Sequence, residues 1–433
     1  MTLISVIIPM YNASRFLQAT IESIVAQTYR PLEICVFNDG STDDSCDLLR
    51  ALAQRLGIAV VQDDSGRAYL KEEVERLFVV SRDQSLPETP FSAAMLELAE
   101  FHKVTPQDIS PSLLTNRSVL AINEQSHGAD GTCAPLTLRL VTRGEQDCAV
   151  RGPGNGRNRA VRESTGEFLC FIDADDVMMA DRVAKQLELA LKEPRALVGS
   201  NFTRDPPDST ARYARWCNSL TDEQLTTHRF KECTIIQPTW FMSRRNFDIV
   251  GGYDINGWAE DLKFLYRHVA LGGTLHKVQE PLLMYRYVQQ SVSSIVPRTL
   301  VRDIRLRAFE SQILSSPNLE TSRRWSRFTI WGAGRDGKQF LKGLSKDYQR
   351  QVIGFCDVDP AKIGRNVSVC GETRRDVLFN LPCVHFSEAK PPLLICVTMD
   401  RPLGEGEVRQ GPSFEENLSS LNLREGVDYF LFG

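Results

Sequence analysis

The chain has 433 residues, of which 42% are hydrophobic and 24% are charged, and its formal net charge is −4. This balance is typical of a globular protein with two or three domains, and the lack of a basic excess argues against nucleic-acid binding. No stretch approaches the roughly 20 apolar residues that cross a membrane, so we expect no integral membrane segment. The 11 cysteines form no CxxC pair, which favours free thiols, no zinc site and a cytoplasmic location.

The first 62 residues alternate between apolar runs and segments of helical spacing. The apolar runs are rich in β-branched residues, and the segments between them place apolar side chains on one helical face. Such alternation is typical of a parallel sheet covered by helices on both faces. The predicted elements are strands 3–9, 32–39 and 58–62 and helices 15–27 and 46–56.

The stretch from about 64 to 150 has a different composition. It is rich in turn-forming residues, and only the segment 93–102 has helical spacing. Loops of this length are uncommon in compact domains. We therefore expect an insertion that is partly loop and partly disordered; the alternative is a misplaced exon boundary.

The alternation of helices and strands resumes after residue 150. The segment "GNGRNRAVRESTGEFLCFIDADD" predicts a helix followed by a strand. Later elements are helices at 181–193 and 261–273, a strand at 196–202 and a pair of strands near 275–287. These elements predict a first domain over 1–295, followed by a helical connector over 296–324.

A new unit begins at "RFTIWGAGRDGKQFLKGL" and fills residues 325–433. Gly332, Gly334 and Gly337 complete a Gly-x-Gly-x-x-Gly motif between a strand and a helix, and Asp357 lies about 20 residues further on. This order predicts a smaller Rossmann-like α/β domain. A nucleotide could bind at the glycine turn, but a tight strand-to-helix turn needs glycine whether or not anything binds there.

Three aspartates end the apolar run "FIDADD" at residues 171–176. Asp173, Asp175 and Asp176 repel one another, and each raises the pKa of its neighbours. A divalent cation such as Mg²⁺ or Mn²⁺ relieves this repulsion, because hard cations prefer carboxylate oxygens. The alternative is a polar turn before the helix that starts near Ala180.

Three segments resemble the glycosyltransferases of family 2, which have the GT-A fold: the opening "VIIPMYNASRFLQATIESIVAQTYRPLEICVFNDGSTDDS", then "GRNRAVRESTGEFLCFIDADDVMMADRV", and "WAEDLKFLYRHVALGG". The resemblance covers about residues 1–290 except the insertion. It implies an inverting, metal-dependent transferase that moves a sugar from a UDP-sugar donor to an acceptor hydroxyl.

The resemblance also implies roles for individual residues. Asp173 and Asp175 match the family's DxD pair, Asp39 matches the acid that binds the uracil ring, and Asp261 matches the general base. The candidate metal ligands are Asp173, Asp175 and Asp176. The candidate nucleotide-sugar ligands are Pro9, Tyr11, Asn12, Asp39, Arg157, Asn158, Asp173 and Glu260.

Simpler structural roles compete with several of these assignments. The segment "NDGSTDD" also suits an Asx turn that caps the next helix, with Asp43 or Asp44 as the cap. Arg157 could be a solvated arginine at a helix start. Glu260 and Asp261 could simply favour a helix N-terminus, although that does not exclude a base.

The sequence departs from the family pattern at one strand end. Many relatives carry a histidine after the "YRY"-like strand, whereas this chain has Val288 and Gln289. Arg286 could serve the donor phosphate instead. The segment "RYARW" at 212–216 resembles a motif of processive synthases, but it precedes the Glu-Asp pair, and we interpret it as helix-surface packing.

Two other classes of function stay open at this point. One is a weakly active or inactive scaffold that keeps the glycosyltransferase fold. The other is a nucleotide-binding protein that works through the C-terminal glycine motif, either as a regulator or as a nicotinamide-dependent enzyme.

Overall fold

The computed structural model describes residues 1–58, 60–62, 119–124, 136–142, 152–255, 257–288, 295–371, 373, 375–397 and 411–433. These residues form two compact units. The first contains Met1–Asp222 and Ile235–Ile295, and the second contains Glu223–Thr234 and Val296–Gly433.

The first unit is built on a ten-stranded mixed sheet. Its strands are β1 (Ile4–Met10), β2 (Leu32–Asn38), β3 (Val60–Gln62), β4 (Val119–Glu124), β5 (Leu136–Thr142), β6 (Phe168–Phe171), β7 (Val177–Met178), β8 (Ala196–Asp205), β9 (Phe241–Ser243) and β10 (Thr274–Arg286). Its helices are α1 (Leu17–Val25), α2 (Ser45–Arg55), α3 (Pro153–Glu163), α4 (Arg182–Lys192), α5 (Ala211–Ser219), α7 (Arg244–Val250) and α8 (Glu260–Ala270). Helix α6 (Asp222–Thr227) belongs to the second unit except for its first residue.

Apolar strands occupy the middle of this sheet, as the sequence predicts. The strand order is β3-β4-β5-β2-β1-β6-β9-β8-β10-β7. β1 pairs in parallel with β2 on one side and with β6 on the other, and nearly every residue of β1 and β2 is buried. The carboxyl ends of these three strands therefore meet at one edge of the sheet.

Two strands of the sheet come from the stretch 64–150, which sequence analysis interprets as an insertion that is partly loop and partly disordered. Residues 136–142 form β5, which pairs in parallel with all seven residues of β2, and 119–124 form β4 beside it. Alternate positions Leu136, Leu138 and Leu140 are each 1% exposed. The period-2 pattern in "LTLRLVT" was the available signal, but the turn-rich flanks obscured it. The predicted helical segment 93–102 lies outside the described residues.

A second difference from the sequence prediction concerns the strand pair near 275–287. The structure has one long strand, β10, which is parallel to β8 and antiparallel to the short β7. Its pairing with β8 shifts register on both sides of Pro281. Proline has no N–H to donate to the ladder, and the strand continues past it through an irregular pairing with β8.

The second unit has a six-stranded sheet of order β13-β14-β12-β11-β15-β16. Its strands are β11 (Phe328–Trp331), β12 (Val352–Asp357), β13 (Asn366–Cys370), β14 (Val377–His385), β15 (Leu393–Ile395) and β16 (Tyr429–Leu431). Its helices are α9 (Arg298–Phe309), α10 (Leu319–Arg324), α11 (Arg335–Gly343), α12 (Lys346–Gln349) and α13 (Phe414–Ser420). All pairings are parallel except that of β13 with β14, which agrees with the predicted Rossmann-like domain.

The glycine motif of the second unit forms a tight turn between β11 and α11. A Cβ on Gly337 would lie 2.1 Å from the carbonyl oxygen of Gly332, so position 337 requires glycine for packing alone. Asp357 is already engaged in this turn: its Oδ2 accepts from the N–H of Ala333 and from Lys362 Nζ, each at 3.0 Å. These contacts favour a structural role for the acid.

The segment 223–234, which sequence analysis places inside a 1–295 domain, belongs to the second compact unit. His228 Nε2 lies 2.7 Å from Glu425 Oε1, and Arg305 pairs with Glu232 at 2.5 Å. Residues 296–324 also fall in this unit. The division into domains at 1–295, 296–324 and 325–433 stays a proposal.

We predict that Leu138→Ala destabilises the chain by about 2–5 kcal/mol, because it leaves a cavity in the buried face of β5. Urea denaturation measures the change. The control is Thr137→Ala on the same strand, at a partly exposed position. A loss below about 1 kcal/mol for Leu138→Ala would show that β5 is dispensable, as expected of an insertion.

Candidate active site

The acid turn Asp173–Asp176 follows β6 at the edge where the parallel strands end. The hydroxyl of Thr20, on α1, lies 2.9 Å from the carbonyl oxygen of Ala174 and 2.8 Å from that of Asp176. The N–H of Arg286 donates to Asp176 Oδ1 at 2.9 Å. The turn is thus held from both sides, by α1 and by the end of β10.

The carboxylates of this turn carry more negative charge than their protein partners offset. Burial, together with the charge of Asp173, raises the pKa of Asp175 to about 6. Burial, together with the charges of Asp175 and Asp173, raises the pKa of Asp176 well above its ordinary value. Asp176 is fully buried, and its Oδ2 accepts no hydrogen bond within the described residues.

An orphaned carboxylate oxygen in a cluster of hard donors fits a divalent cation. Within the part of the chain that the structure describes, no three His, Cys, Asp or Glu side chains are grouped to hold an ion by themselves. A cation that also takes phosphate oxygens and water needs only one or two carboxylates. The acid turn therefore fits a metal that binds together with a diphosphate.

Arg157 joins the acid turn to a second pair of acids. Its Nη2 lies 2.7 Å from Asp173 Oδ1 and its Nη1 lies 3.1 Å from Glu260 Oε1. Arg157 is 4% exposed, and the carbon of its guanidinium lies 5.6 Å from the centre of the Tyr253 ring. Burial lowers the pKa of Arg157, but the charges of Asp173, Tyr253 and Glu260 outweigh that effect and raise it overall.

An aromatic cluster packs against the guanidinium of Arg157 through the ring of Tyr253. Tyr253 is buried, stacks on Trp240 and on Phe264, and its hydroxyl accepts from Gln237 Nε2 at 2.9 Å. Closely packed rings lose little freedom and hold the guanidinium in one orientation. The cluster was not apparent in the sequence, because its members come from three separate segments.

Glu260 and Asp261 occupy the first turn of α8. The residue before them, Ala259, has φ of 59°, a left-handed conformation that is strained for a residue with a side chain. The N–H of Leu262 donates to Asp261 Oδ1 at 2.7 Å. Burial is the main cause of a raised pKa for both acids. Strained backbone and raised carboxyl pKa values occur together at functional sites.

Asp39 lies at the end of β2, next to the glycine-rich start of α3. Its Oδ2 accepts from the N–H of Gly152 at 3.0 Å, and its own N–H donates to the carbonyl of Met10. A Cβ on Gly156 would lie 3.0 Å from the Cβ of Pro9. Glycine thus lets α3 approach the ends of both β1 and β2.

The capping role near Asp39 belongs to Asp43. Its carboxylate accepts from the N–H of Ser14 at 3.0 Å and from the N–H of Ser45 at 3.1 Å. Although partial burial opposes it, hydrogen bonds from Ser45 and Ser14 lower the pKa of Asp43 to about 2. Asp44 is the N-cap residue by position but makes no side-chain cap bond.

The two asparagines among the predicted ligands are engaged with the protein backbone. Asn12 Oδ1 accepts from the N–H of Thr42 at 2.8 Å. Asn158 exchanges two hydrogen bonds with the backbone of Tyr253, at 2.7 and 2.8 Å. Tyr11, by contrast, is 53% exposed at the end of β1. The donor-binding roles of these residues stay proposals.

The segment "RYARW" forms part of α5, and its aromatic residues Tyr213 and Trp216 pack against the core of the first unit. The interpretation as helix packing is confirmed. No helix in the described ranges is both long enough and apolar enough to cross a bilayer.

Parts of this chain are similar to known proteins. Residues 5–75 and 147–250 match the family described as "Glycosyl transferase family 2". The glycosyltransferase GlyG of Streptococcus pneumoniae serotype 4 is 38% identical over 72 residues, which are 16% of this chain and 24% of that protein. WfaP of Escherichia coli, a UDP-Glc:alpha-D-GlcNAc-diphosphoundecaprenol beta-1,3-glucosyltransferase, is 42% identical over 52 residues, which are 12% of this chain and 21% of WfaP.

The match to each of these curated relatives spans less than a quarter of the relative's length. Among solved structures, Staphylococcus aureus TarS 1–349 in complex with UDP is 13% identical, with a TM-score of 0.40 over 82% of this chain and 84% of that chain.

The two matched segments are similar to the glycosyltransferases of family 2. This match is interrupted between residues 75 and 147. The β-strand β5 lies in that interruption and still completes the sheet.

We predict that Asp175→Asn stabilises the metal-free chain at pH 7.5 but not near pH 4. The pKa of Asp175 is raised to about 6, above the roughly 3.9 of an unfolded aspartate. The folded state therefore binds the proton more tightly, and the stability this contributes is lost as pH rises through about 6. Removing the charge should raise the free energy of unfolding at pH 7.5 by on the order of 1–3 kcal/mol and the melting temperature by about 2–6 °C.

Thermal melting in EDTA at both pH values measures this effect. Asp47→Asn is the control, because its side chain is 82% exposed and pairs with Arg50. A lower melting temperature for Asp175→Asn than for the wild type at pH 7.5 would contradict the prediction.

Proposed function

We propose that this chain is an inverting, metal-dependent glycosyltransferase that transfers a sugar from a UDP-sugar to an acceptor hydroxyl. The observation that carries the proposal is the pairing of Arg157 with Asp173 at 2.7 Å and with Glu260 at 3.1 Å. This pairing brings together two acidic motifs that are far apart in the sequence. One motif suits a metal–diphosphate complex, and the other suits proton transfer.

The acid turn would hold the divalent cation, Mn²⁺ or Mg²⁺, through Asp175 and Asp176, with Asp173 beside the donor. A bound cation supplies neutralisation of the charge that builds on the leaving diphosphate. Asp39 and Pro9 are the proposed contacts for the uracil ring at the ends of β2 and β1. Tyr11, Asn12, Arg157, Asn158 and Glu260 complete the proposed donor site.

Asp261 is the proposed general base. The acceptor oxygen attacks the anomeric carbon, its proton passes to the Asp261 carboxylate, and the bond between that carbon and the diphosphate oxygen breaks with its electron pair. Attack opposite the leaving group inverts the anomeric configuration. A raised pKa brings the carboxyl closer to the working pH, which makes it a better proton acceptor.

N-acetylglucosamine is the candidate sugar. The motifs of the first unit and the C-terminal segments together resemble β-1,3-N-acetylglucosaminyltransferase-like protein 1. The name of WfaP also supports a UDP-sugar donor. A cytoplasmic location stays a prediction from the free cysteines.

A panel of UDP-sugars with Mn²⁺ tests the function through release of UDP. We expect one donor to be hydrolysed or transferred in preference to the others, with UDP-N-acetylglucosamine as the first candidate. EDTA should abolish the signal. UDP binding without turnover of any donor would favour the scaffold alternative, and NAD(H) binding at the C-terminal turn would favour the regulator or nicotinamide alternative.

We predict that Asp261→Asn lowers turnover by about 10²–10⁴-fold, the usual contribution of a general base. Its affinity for UDP with Mn²⁺ should stay within a few-fold of wild type, because a base acts in the chemical step. Asp39→Ala should do the reverse and weaken UDP binding first. Steady-state kinetics and calorimetry on both variants measure the two effects.

Near-wild-type turnover of Asp261→Asn at saturating substrate would move the base to another residue, with Glu260 as the next candidate. Loss of UDP binding in that variant would instead place Asp261 in the donor site.

A further inference from the structure

Arg286, the last residue of β10, contacts two consecutive residues of the acid turn. Its N–H donates to Asp176 Oδ1 at 2.9 Å, and its Nη1 donates to the carbonyl oxygen of Asp175 at 2.7 Å. One contact uses the backbone and the other uses the side chain. β10 therefore determines where both residues lie.

Two further groups determine the orientation of this guanidinium. Nε donates to Asp205 Oδ2 at 3.0 Å, and the guanidinium carbon lies 4.5 Å from the centre of the Phe16 ring. The N–H of Tyr287 donates to the carbonyl of Asp205 at 2.8 Å, which ties the ends of β8 and β10 together. The Arg286 side chain is only 15% exposed as a result.

The pairing of β7 with β10 places Arg286 beside the C-terminal end of the acid turn. β7, which begins immediately after Asp176, pairs with Leu283 and Met284 of β10. The acid turn is thus bounded by β6 before it and by the β7–β10 pairing after it. Between these two strands, Arg286 contacts the turn directly.

We propose that Arg286, oriented by Asp205, is a positioning residue that holds Asp175 and Asp176 in the geometry needed to bind the divalent cation. The inference rests on the proposed function insofar as that function uses such an ion. It differs from the phosphate-binding role considered from the sequence, because Nε and Nη1 of Arg286 are engaged with the protein.

Lysine cannot replace arginine in this role. An ammonium keeps the positive charge but is a point donor, so it cannot reach Asp205 and the Asp175 carbonyl in the fixed geometry of a guanidinium. Arg286→Lys therefore separates charge from geometry. Asp205→Asn tests the second half of the proposal, since it weakens the group that orients the arginine while leaving the acid turn untouched.

The experiment measures the dissociation constant for Mn²⁺ by electron paramagnetic resonance on the whole chain, with and without UDP. We expect Arg286→Lys to weaken Mn²⁺ binding by about tenfold, the lower end of what outer-shell partners contribute. Asp205→Asn should weaken it in the same direction by a smaller factor. Melting temperatures in EDTA report any loss of folding stability separately from metal binding, because the Arg286 side chain is only 15% exposed and bonds to Asp205 and Asp175.

Arg244→Lys is the matched control. Its guanidinium also binds a loop of the first unit: Nε donates to the carbonyl of Gly166 at 2.7 Å and Nη2 donates to Ser164 Oγ at 2.6 Å. These residues follow the C-terminal end of α3, whereas the acid turn lies near its start. Arg244→Lys should lower the melting temperature and leave the Mn²⁺ dissociation constant unchanged.

Wild-type Mn²⁺ affinity in Arg286→Lys would overturn the inference, and so would an equal loss of affinity in Arg244→Lys. A wild-type chain that binds no Mn²⁺ with or without UDP would also overturn it. UDP release, measured in parallel, keeps the two proposals apart. If no donor is turned over while the Mn²⁺ affinities change as expected, the proposed function fails and the positioning role stands.

Discussion

The buried guanidinium of Arg157 is the interaction on which the rest of the site depends. Two carboxylates, from Asp173 and Glu260, lie within 3.1 Å of it. An ionised group this deeply buried is stable only with charge partners, and removing one member of such a group leaves the others uncompensated. Helix α3, the acid turn and the start of α8 therefore depend on one another, although the start of α8 is far from the other two in the sequence.

Glycine makes this close approach possible. A Cβ at Gly154 would lie 2.6 Å from Glu260 Cγ, so any larger residue would push α8 away from α3. The aromatic cluster around Tyr253 supports the guanidinium from the other side, and Asn158 ties the backbone of Tyr253 to α3. Helix α3 thus supplies Arg157 itself, the glycine that leaves room for Glu260, and the asparagine that holds the backbone of Tyr253.

The buried carboxylates at this edge lower the stability of the fold when they are ionised. Burial raises the pKa of Asp175, Asp176, Glu260 and Asp261, and Arg157 pairs directly with only one of these four. Hydrogen bonds from Arg286 and Leu262 offset part of the cost. A divalent cation that bound together with a diphosphate would neutralise these carboxylates. A site whose charges are already in position stabilises the charge that develops during the reaction.

The sequence by itself determined the class of fold and the position of the acids. Continuous apolar strands that end in polar turns predict a parallel sheet with a ligand edge, and both Asp39 and the acid turn lie at that edge. These features are local, because burial on both faces and strand-end chemistry can be read from a few consecutive residues. The tertiary structure decided the rest: β5 as a strand of the sheet, β10 as one bulged strand, and the partners of Arg157 and Arg286. Their contacts join residues about 16 to more than 100 positions apart, and which strands become neighbours depends on the packing of the whole sheet, which no local pattern encodes.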